Sequence, residues 1–66
     1  MRIDLEKIKE LYMQMLLTQT ELADKANVSR ATVSAVMNRG TCSKGTLIKL
    51  ANALQVEPQE LLMIES

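Results

Sequence analysis

A short sequence pattern occurs five times along the 66 residues of this chain. In each copy, a residue at a helix-capping position follows an apolar residue, and a second apolar residue comes five positions after the first. The caps are Asp4, Thr18, Ser29, Ser43 and Glu57, and the apolar pairs are Ile3 with Ile8, Leu17 with Leu22, Val28 with Val33, Cys42 with Leu47, and Val56 with Leu61. Such a pair packs across the first turn of a helix, so the pattern predicts five helix starts. No stretch shows the alternation typical of strands.

The predicted helices span residues 4–16, 18–26, 29–38, 43–54 and 58–63. Pro58 suits the first position of the last helix, although Glu57 is a poor cap. A chain of this length supports one domain with a small core. We therefore predict a single all-α domain over residues 1–66, a compact bundle of five helices.

The connection between the second and third helices is very short. It consists of Asn27 and Val28 before the cap Ser29. A turn this tight needs a residue with positive φ, which asparagine tolerates well. Two short helices joined in this way cross steeply, which predicts a helix-turn-helix.

The composition excludes several classes of function. The chain has one cysteine and no histidine, so an internal disulfide and a zinc site of Cys/His type are both excluded. We find no nucleophile beside a base and no glycine-rich phosphate loop, and we predict no enzymatic activity, no metal, no cofactor and no small-molecule ligand. No apolar run is long enough to span a membrane or to serve as a signal peptide. The expected location is the cytoplasm.

The charges are unevenly distributed along the chain. The formal net charge is zero and the pI is about 6.2, which by itself argues against a strongly basic nucleic-acid binder. However, residues 25–56 contain no acidic residue and carry the cations Lys25, Arg30, Arg39, Lys44 and Lys49. The distribution predicts one positive surface on a neutral molecule, unless the clustering is accidental.

Residues 18–40, "TQTELADKANVSRATVSAVMNRG", resemble the helix-turn-helix of the Cro/C1-type repressors, which have the lambda repressor-like fold. The downstream stretch "TLIKLANALQVEPQELL" is similar to the fourth and fifth helices of the same family. The usual turn glycine is replaced by Asn27. The resemblance implies sequence-specific binding of double-stranded DNA in the major groove, and it implies homodimers on half-sites about 34 Å apart.

The outward face of the third helix is built from small and polar residues, which lets the helix enter a major groove about 12 Å wide. The predicted base contacts are Ser29, Arg30, Ala31, Thr32 and Ala35. Arg30 supplies a forked donor for guanine, and Ala31 and the Thr32 methyl group suit thymine methyl groups. The alternatives are structural: Ser29 caps the helix in any case, Thr32 serves the same turn, the alanines allow close helix packing, and Arg30 is a solvated surface residue.

Phosphate contacts are expected on both sides of this helix. Helix N-termini offer unpaired N–H groups and a positive dipole end, and by resemblance the family holds the DNA backbone at these places. The predicted phosphate contacts are Thr18, Gln19, Asn38, Arg39, Thr41, Ser43 and Lys44. Gly40 is expected in a left-handed conformation after the third helix. Gly45 either allows a backbone to approach closely or is tolerated slack.

The leading interpretation is a transcriptional repressor that acts by occupying its operator, since no effector domain is expected. The alternative from another class is a helical protein-interaction or antitoxin-like module with weak or no DNA binding. A third possibility is an activator that contacts polymerase through Glu21 and Asp24. The candidate dimer surfaces are the C-terminal residues Leu62, Met63 and Ile64 and the end of the first helix, Met13 and Leu16.

Overall fold

The computed structural model describes residues 2–63, which form four α-helices and one 3-10 helix. The α-helices are α1 (Leu5–Gln14), α2 (Gln19–Ala26), α3 (Arg30–Arg39) and α4 (Lys44–Leu54), and the 3-10 helix spans Pro58–Leu61. α2 packs on α3 and α4, and α4 also packs on α1 and on the 3-10 helix. α4 is therefore the central element of the bundle. No helix within residues 2–63 is long and apolar enough to cross a membrane.

The α-helices begin directly after the predicted caps. Each cap side chain accepts a hydrogen bond from the backbone N–H three residues later: Asp4 from Lys7 at 3.1 Å, Thr18 from Glu21 at 3.2 Å, Ser29 from Thr32 at 3.1 Å, and Ser43 from Thr46 at 3.3 Å. At α2 the Glu21 carboxylate also accepts from the Thr18 N–H at 3.0 Å, which completes a capping box. These bonds satisfy N–H groups that would otherwise lack a partner at a helix start.

The core contains the second member of every predicted apolar pair. Ile8, Leu22, Val33, Leu47 and Leu61 are at most 2% exposed. The remaining buried residues are Ile3, Tyr12, Ala23, Ala26, Val36, Leu50, Ala51, Ala53 and Leu54. The first members Leu17, Val28, Cys42 and Val56 pack against this core from its edge. The repeated pattern thus marks helix starts and core positions together.

The prediction of a fifth α-helix over residues 58–63 is wrong. Pro58–Leu61 is a single 3-10 turn, and Leu62 is already extended, with φ −79° and ψ 140°. Leu62 forms an isolated antiparallel bridge with Ile3, and the Met63 N–H donates to the Arg2 carbonyl at 3.2 Å. The chain leaves the helical conformation here because its backbone pairs with the N-terminal segment.

The first helix is also shorter than predicted. α1 ends at Gln14 rather than at residue 16, because Leu16 is left-handed with φ 59°. The Leu17 N–H donates to the Tyr12 carbonyl at 2.9 Å, and the Leu16 N–H donates to the Met13 carbonyl at 3.0 Å. This is the Schellman arrangement, which closes a helix end and usually uses glycine where Leu16 stands.

The helix-turn-helix has the predicted tight turn. Asn27 is left-handed, with φ 58° and ψ 41°. The Val28 N–H donates to the Ala23 carbonyl at 3.0 Å, which closes the end of α2. Ala23 and Ala26 are buried on α2, which packs on both α3 and α4, and small side chains at buried positions allow helices to pack closely. The turn therefore fixes the direction of α3 relative to the core.

The N-terminal segment is tied to two distant parts of the chain. The Ile3 N–H donates to the Gly40 carbonyl at 2.9 Å, and the Asp4 N–H donates to the Leu61 carbonyl at 2.8 Å. Besides the bridge from Ile3 to Leu62, an antiparallel bridge joins Arg2 to Thr41 in the connection between α3 and α4. The segment thus holds the α3–α4 connection against the C-terminal end of the described chain.

Candidate nucleic-acid interface

α3 presents one buried and one exposed face. Val33 and Val36 are buried against α2 and the core. The residues predicted to read bases are more accessible: Ser29, Arg30 and Ala31 are exposed, and Thr32 and Ala35 are partly exposed. Because Arg30 is the first residue of α3 and is not covered by another element, its guanidinium is accessible to a ligand beside the helix.

The start of α3 is closed by its own side chains. The Ser29 hydroxyl accepts from the Thr32 N–H at 3.1 Å and lies 2.8 Å from the Thr32 hydroxyl. These bonds agree with the structural alternative for Ser29 and Thr32, since both residue types serve the helix start without a ligand. Close helix packing does not explain Ala31, because Ala31 is exposed, whereas Ala35 is partly covered. Direct contacts of these residues with bases stay a prediction.

A groove connects α3 to the start of α4. Its volume is about 370 Å³, and its lining residues are Thr32, Ala35, Val36, Arg39, Thr41, Cys42, Ser43 and Thr46. We call it the polar groove. It brings together two predicted base contacts, Thr32 and Ala35, and three predicted phosphate contacts, Arg39, Thr41 and Ser43. Predicted base contacts and predicted phosphate contacts therefore line one continuous surface.

The polar groove exists because the chain turns sharply after α3. Gly40 is left-handed, with φ 71°, as predicted, and its N–H donates to the Val36 carbonyl at 2.9 Å. A Cβ at Gly40 would lie 3.7 Å from Leu5 Cδ1, an ordinary contact distance, so the backbone conformation and not the available space requires glycine here. The turn places Thr41 and Ser43 beside the C-terminal half of α3.

The structure separates Lys44 from the polar groove. Lys44 is the first residue of α4 and is exposed, but it lines a second groove of about 330 Å³. We call this the apolar groove, and its other lining residues are Leu47, Ile48, Glu57, Pro58, Gln59 and Leu62. Of the other predicted phosphate contacts, Thr18 and Gln19 are exposed at the start of α2, and Asn38 is exposed on α3. None of these three residues lines the polar groove.

Three residues that line the polar groove are absent from the predicted set: Val36, which is a buried core residue, Cys42 and Thr46. Thr46 lines it, and its hydroxyl accepts a hydrogen bond from the Ser43 hydroxyl at 3.0 Å. The signal for Thr46 is its position three residues after the cap, which matches Thr32 after Ser29. Cys42 also lines the groove, and burial raises the pKa of its thiol. A thiol with a raised pKa is mostly protonated at neutral pH, so it adds no negative charge to the groove.

The described residues offer no metal site. Among residues 2–63, no three Cys, Asp or Glu side chains come together in a group that would hold a metal ion. The cations of the α3 region and the unpaired N–H groups of the helix starts are suited to an anionic polymer.

Comparison with known proteins finds a family model that matches most of the chain. The model of a family described as "Helix-turn-helix" matches residues 8–61, which is well over half of the 66-residue chain. No curated protein and no solved structure matches the chain. The matched region contains α2, α3, α4 and the complete polar groove.

Proposed function

The chain belongs to the Cro/C1-type helix-turn-helix family of DNA-binding transcription regulators, and from this premise we propose that it is a repressor. It binds a specific sequence in double-stranded DNA and acts by occupying its operator. The observation that supports the proposal is the polar groove, because Thr32 and Ala35 of α3 line it together with the predicted phosphate contacts Arg39, Thr41 and Ser43. Repression in the cytoplasm, by blocking access to the operator, is the simplest use of such a surface.

In the proposed complex, α3 lies in the major groove and Arg30 reads a guanine. An arginine that donates two hydrogen bonds to guanine O6 and N7 contributes about 1–3 kcal/mol of discrimination. Ala31 and Thr32 keep this part of the helix thin, and Ala35 continues the same surface toward the polar groove. Arg39, Thr41 and Ser43 then contact the DNA backbone, which fixes the position of α3 but carries no sequence information.

Salt dependence separates this proposal from the second candidate, a protein-interaction module. The second candidate is favoured by the zero net charge and by the apolar groove. If the chain is a DNA-binding repressor, log K for a duplex falls linearly with log salt concentration, with a slope set by several phosphate contacts. Fluorescence anisotropy with a duplex of mixed sequence measures this slope. The absence of measurable duplex binding at low salt would instead support the interaction module.

We propose further that the repressor is a homodimer and that the apolar groove is part of its interface. Ile48 is 40% exposed and Met63 is 47% exposed, and Ile48 and Leu62 line the groove. The other predicted surface, Met13 and Leu16, is 56% and 89% exposed at the end of α1. Ile64, which was predicted with this set, lies outside the described residues.

The dimer proposal has a matched pair of variants on α4. Ile48→Glu puts a charge at the apolar groove, whereas Asn52→Glu adds the same charge at another exposed position of the helix. We expect sedimentation velocity to show a dimer for the wild type and for Asn52→Glu, and a monomer for Ile48→Glu. A wild-type chain that is monomeric and binds DNA one copy at a time would contradict the proposal.

A further inference from the structure

The N-terminal segment, which lies outside the region that the family match covers, places a cation next to one residue of the polar groove. The match begins at residue 8, so it assigns no role to Arg2. Arg2 forms an antiparallel bridge with Thr41, which lines the polar groove. Residues that lie opposite each other in an antiparallel pair carry their side chains on the same face. The bridge therefore places the Arg2 and Thr41 side chains side by side.

The direction of this face follows from the neighbouring residue. Ile3 is 1% exposed, so its side chain enters the core. Successive side chains of an extended segment point to opposite sides, and the side chain of Arg2 therefore points away from the core. Arg2 and Thr41 are both exposed, as this arrangement requires.

The position of Arg2 is fixed by the fold. The two residues after Arg2 are held by backbone hydrogen bonds: the Ile3 N–H donates to the Gly40 carbonyl, and the Asp4 N–H donates to the Leu61 carbonyl. The Arg2 carbonyl itself accepts from the Met63 N–H at 3.2 Å. Because its backbone is already ordered, Arg2 loses only side-chain freedom when it binds a ligand, whereas a cation on a disordered arm also loses backbone freedom.

We propose that Arg2 is a phosphate-binding residue of the DNA interface, next to Thr41, which is itself a predicted phosphate contact. The inference rests on the proposed DNA-binding function and extends its surface to the N-terminal segment. Arginine suits this role because its planar guanidinium donates two parallel hydrogen bonds to a phosphate group. Arg39 and Thr41 line the polar groove, and the bridge to Thr41 would add the Arg2 guanidinium beside them.

The test compares Arg2→Gln with Lys9→Gln in the intact chain. Both variants remove one positive charge from an exposed position, but Lys9 lies on α1, which contributes no residue to the polar groove. The probe is a mixed-sequence duplex of about 30 base pairs, because phosphate contacts do not depend on base sequence. We expect Arg2→Gln to bind roughly three- to tenfold more weakly at low salt and to reduce the slope of log K against log salt by about 0.9. Lys9→Gln should keep the wild-type slope.

The Arg2→Lys variant and thermal unfolding identify the cause of any change. Recovery of the slope in Arg2→Lys, with the melting temperature of all variants unchanged, supports a phosphate contact. An equal effect of Arg2→Gln and Lys9→Gln, or weaker binding by Arg2→Gln with an unchanged slope, overturns the inference. If the wild-type chain does not bind the duplex at all, it is the proposed function that fails.

Discussion

The starts of α3 and α4 have nearly the same chemistry but different surroundings. Residues 29–32 read "SRAT" and residues 43–46 read "SKGT", so each start has a serine cap, a cation, a small residue and a threonine. The two hydroxyl groups of each start lie 2.8 Å and 3.0 Å apart, respectively. At α3 the cation is exposed on the helix proposed to read bases, whereas at α4 the hydroxyl groups line the polar groove and the cation lines the apolar groove. A local pattern therefore fixes a helix start, while the neighbouring elements decide what that start can bind.

The largest expected difference between the two starts is in sequence discrimination. We expect Arg30→Ala to lose the preference for one base position, worth about 1–3 kcal/mol, because the guanine contact is removed. Lys44→Ala removes the corresponding cation of α4 and should leave the selected sequence unchanged. The measurement is selection of bound sequences from random duplexes by each variant.

Two results of this selection would contradict the proposed roles of Arg30 and Lys44. If Arg30→Ala selects the same sequence as the wild type, Arg30 reads no base. If Lys44→Ala alters the preference as strongly as Arg30→Ala does, the two cations have the same role and the proposed division between α3 and α4 is wrong.

The two serine caps should contribute similar amounts to folding. We expect Ser29→Ala and Ser43→Ala each to lower the free energy of unfolding by about 1 kcal/mol, because each leaves one backbone N–H at a helix start without its partner. Urea denaturation monitored by circular dichroism gives both values. A difference of more than about 1 kcal/mol would show that the two starts are not equivalent.

The third residue of each start is Ala31 at α3 and Gly45 at α4, and each can be replaced by the other residue type. A Cβ at Gly45 would meet no atom within 4 Å, so we expect Gly45→Ala to raise the free energy of unfolding by about 0.5–1 kcal/mol. Ala31→Gly, at the matching exposed position of α3, should lower it by a similar amount. Destabilisation by Gly45→Ala would contradict this view of the α4 start.

The DNA affinity of the Gly45→Ala variant shows why position 45 is a glycine. If Gly45→Ala leaves the duplex affinity unchanged, the first turn of α4 tolerates a glycine at position 45 but does not require it. If the affinity falls while stability rises, the glycine allows the DNA backbone to approach closely.

The smallest expected effect concerns Cys42, which lies next to the cap of α4 in the polar groove. Burial raises the pKa of the thiol, so less thiolate is present at pH 8.5 than in an unfolded chain. We expect Ellman's reagent to react more slowly with the native chain than with the chain in urea, and more slowly still when duplex DNA is bound. A native thiol that reacts faster than the unfolded one would contradict the burial of Cys42.

The sequence predicted those parts of the fold that depend on nearby residues. Asp4, Thr18, Ser29 and Ser43 cap the four helices because a cap acts within three residues, and the left-handed Asn27 follows from the short turn. The failure at residues 58–63 has a different cause. Leu62 is extended because it pairs with Ile3, a residue that is distant in sequence and close in space.

The candidate site follows the same division between local and distant information. Arg39, Thr41 and Ser43 were predicted from their positions next to helix ends, and the structure brings them into one groove. Lys44 has the same local signal, but its position on α4 directs it toward the apolar groove. Nothing in the sequence around Arg2 marks it as a phosphate contact, because it comes next to Thr41 only through the bridge between the two segments.

A titration of the ¹⁵N-labelled chain with duplex DNA, followed by NMR, locates the DNA-binding surface. If α3 and the polar groove form the DNA interface, the largest amide shifts occur at Arg30, Thr32, Arg39, Thr41 and Ser43. The amides of the apolar groove, such as Ile48 and Gln59, then shift little on binding of one duplex half-site. Shifts concentrated at the apolar groove, or spread evenly over the chain, would show that α3 and the polar groove do not form the DNA interface.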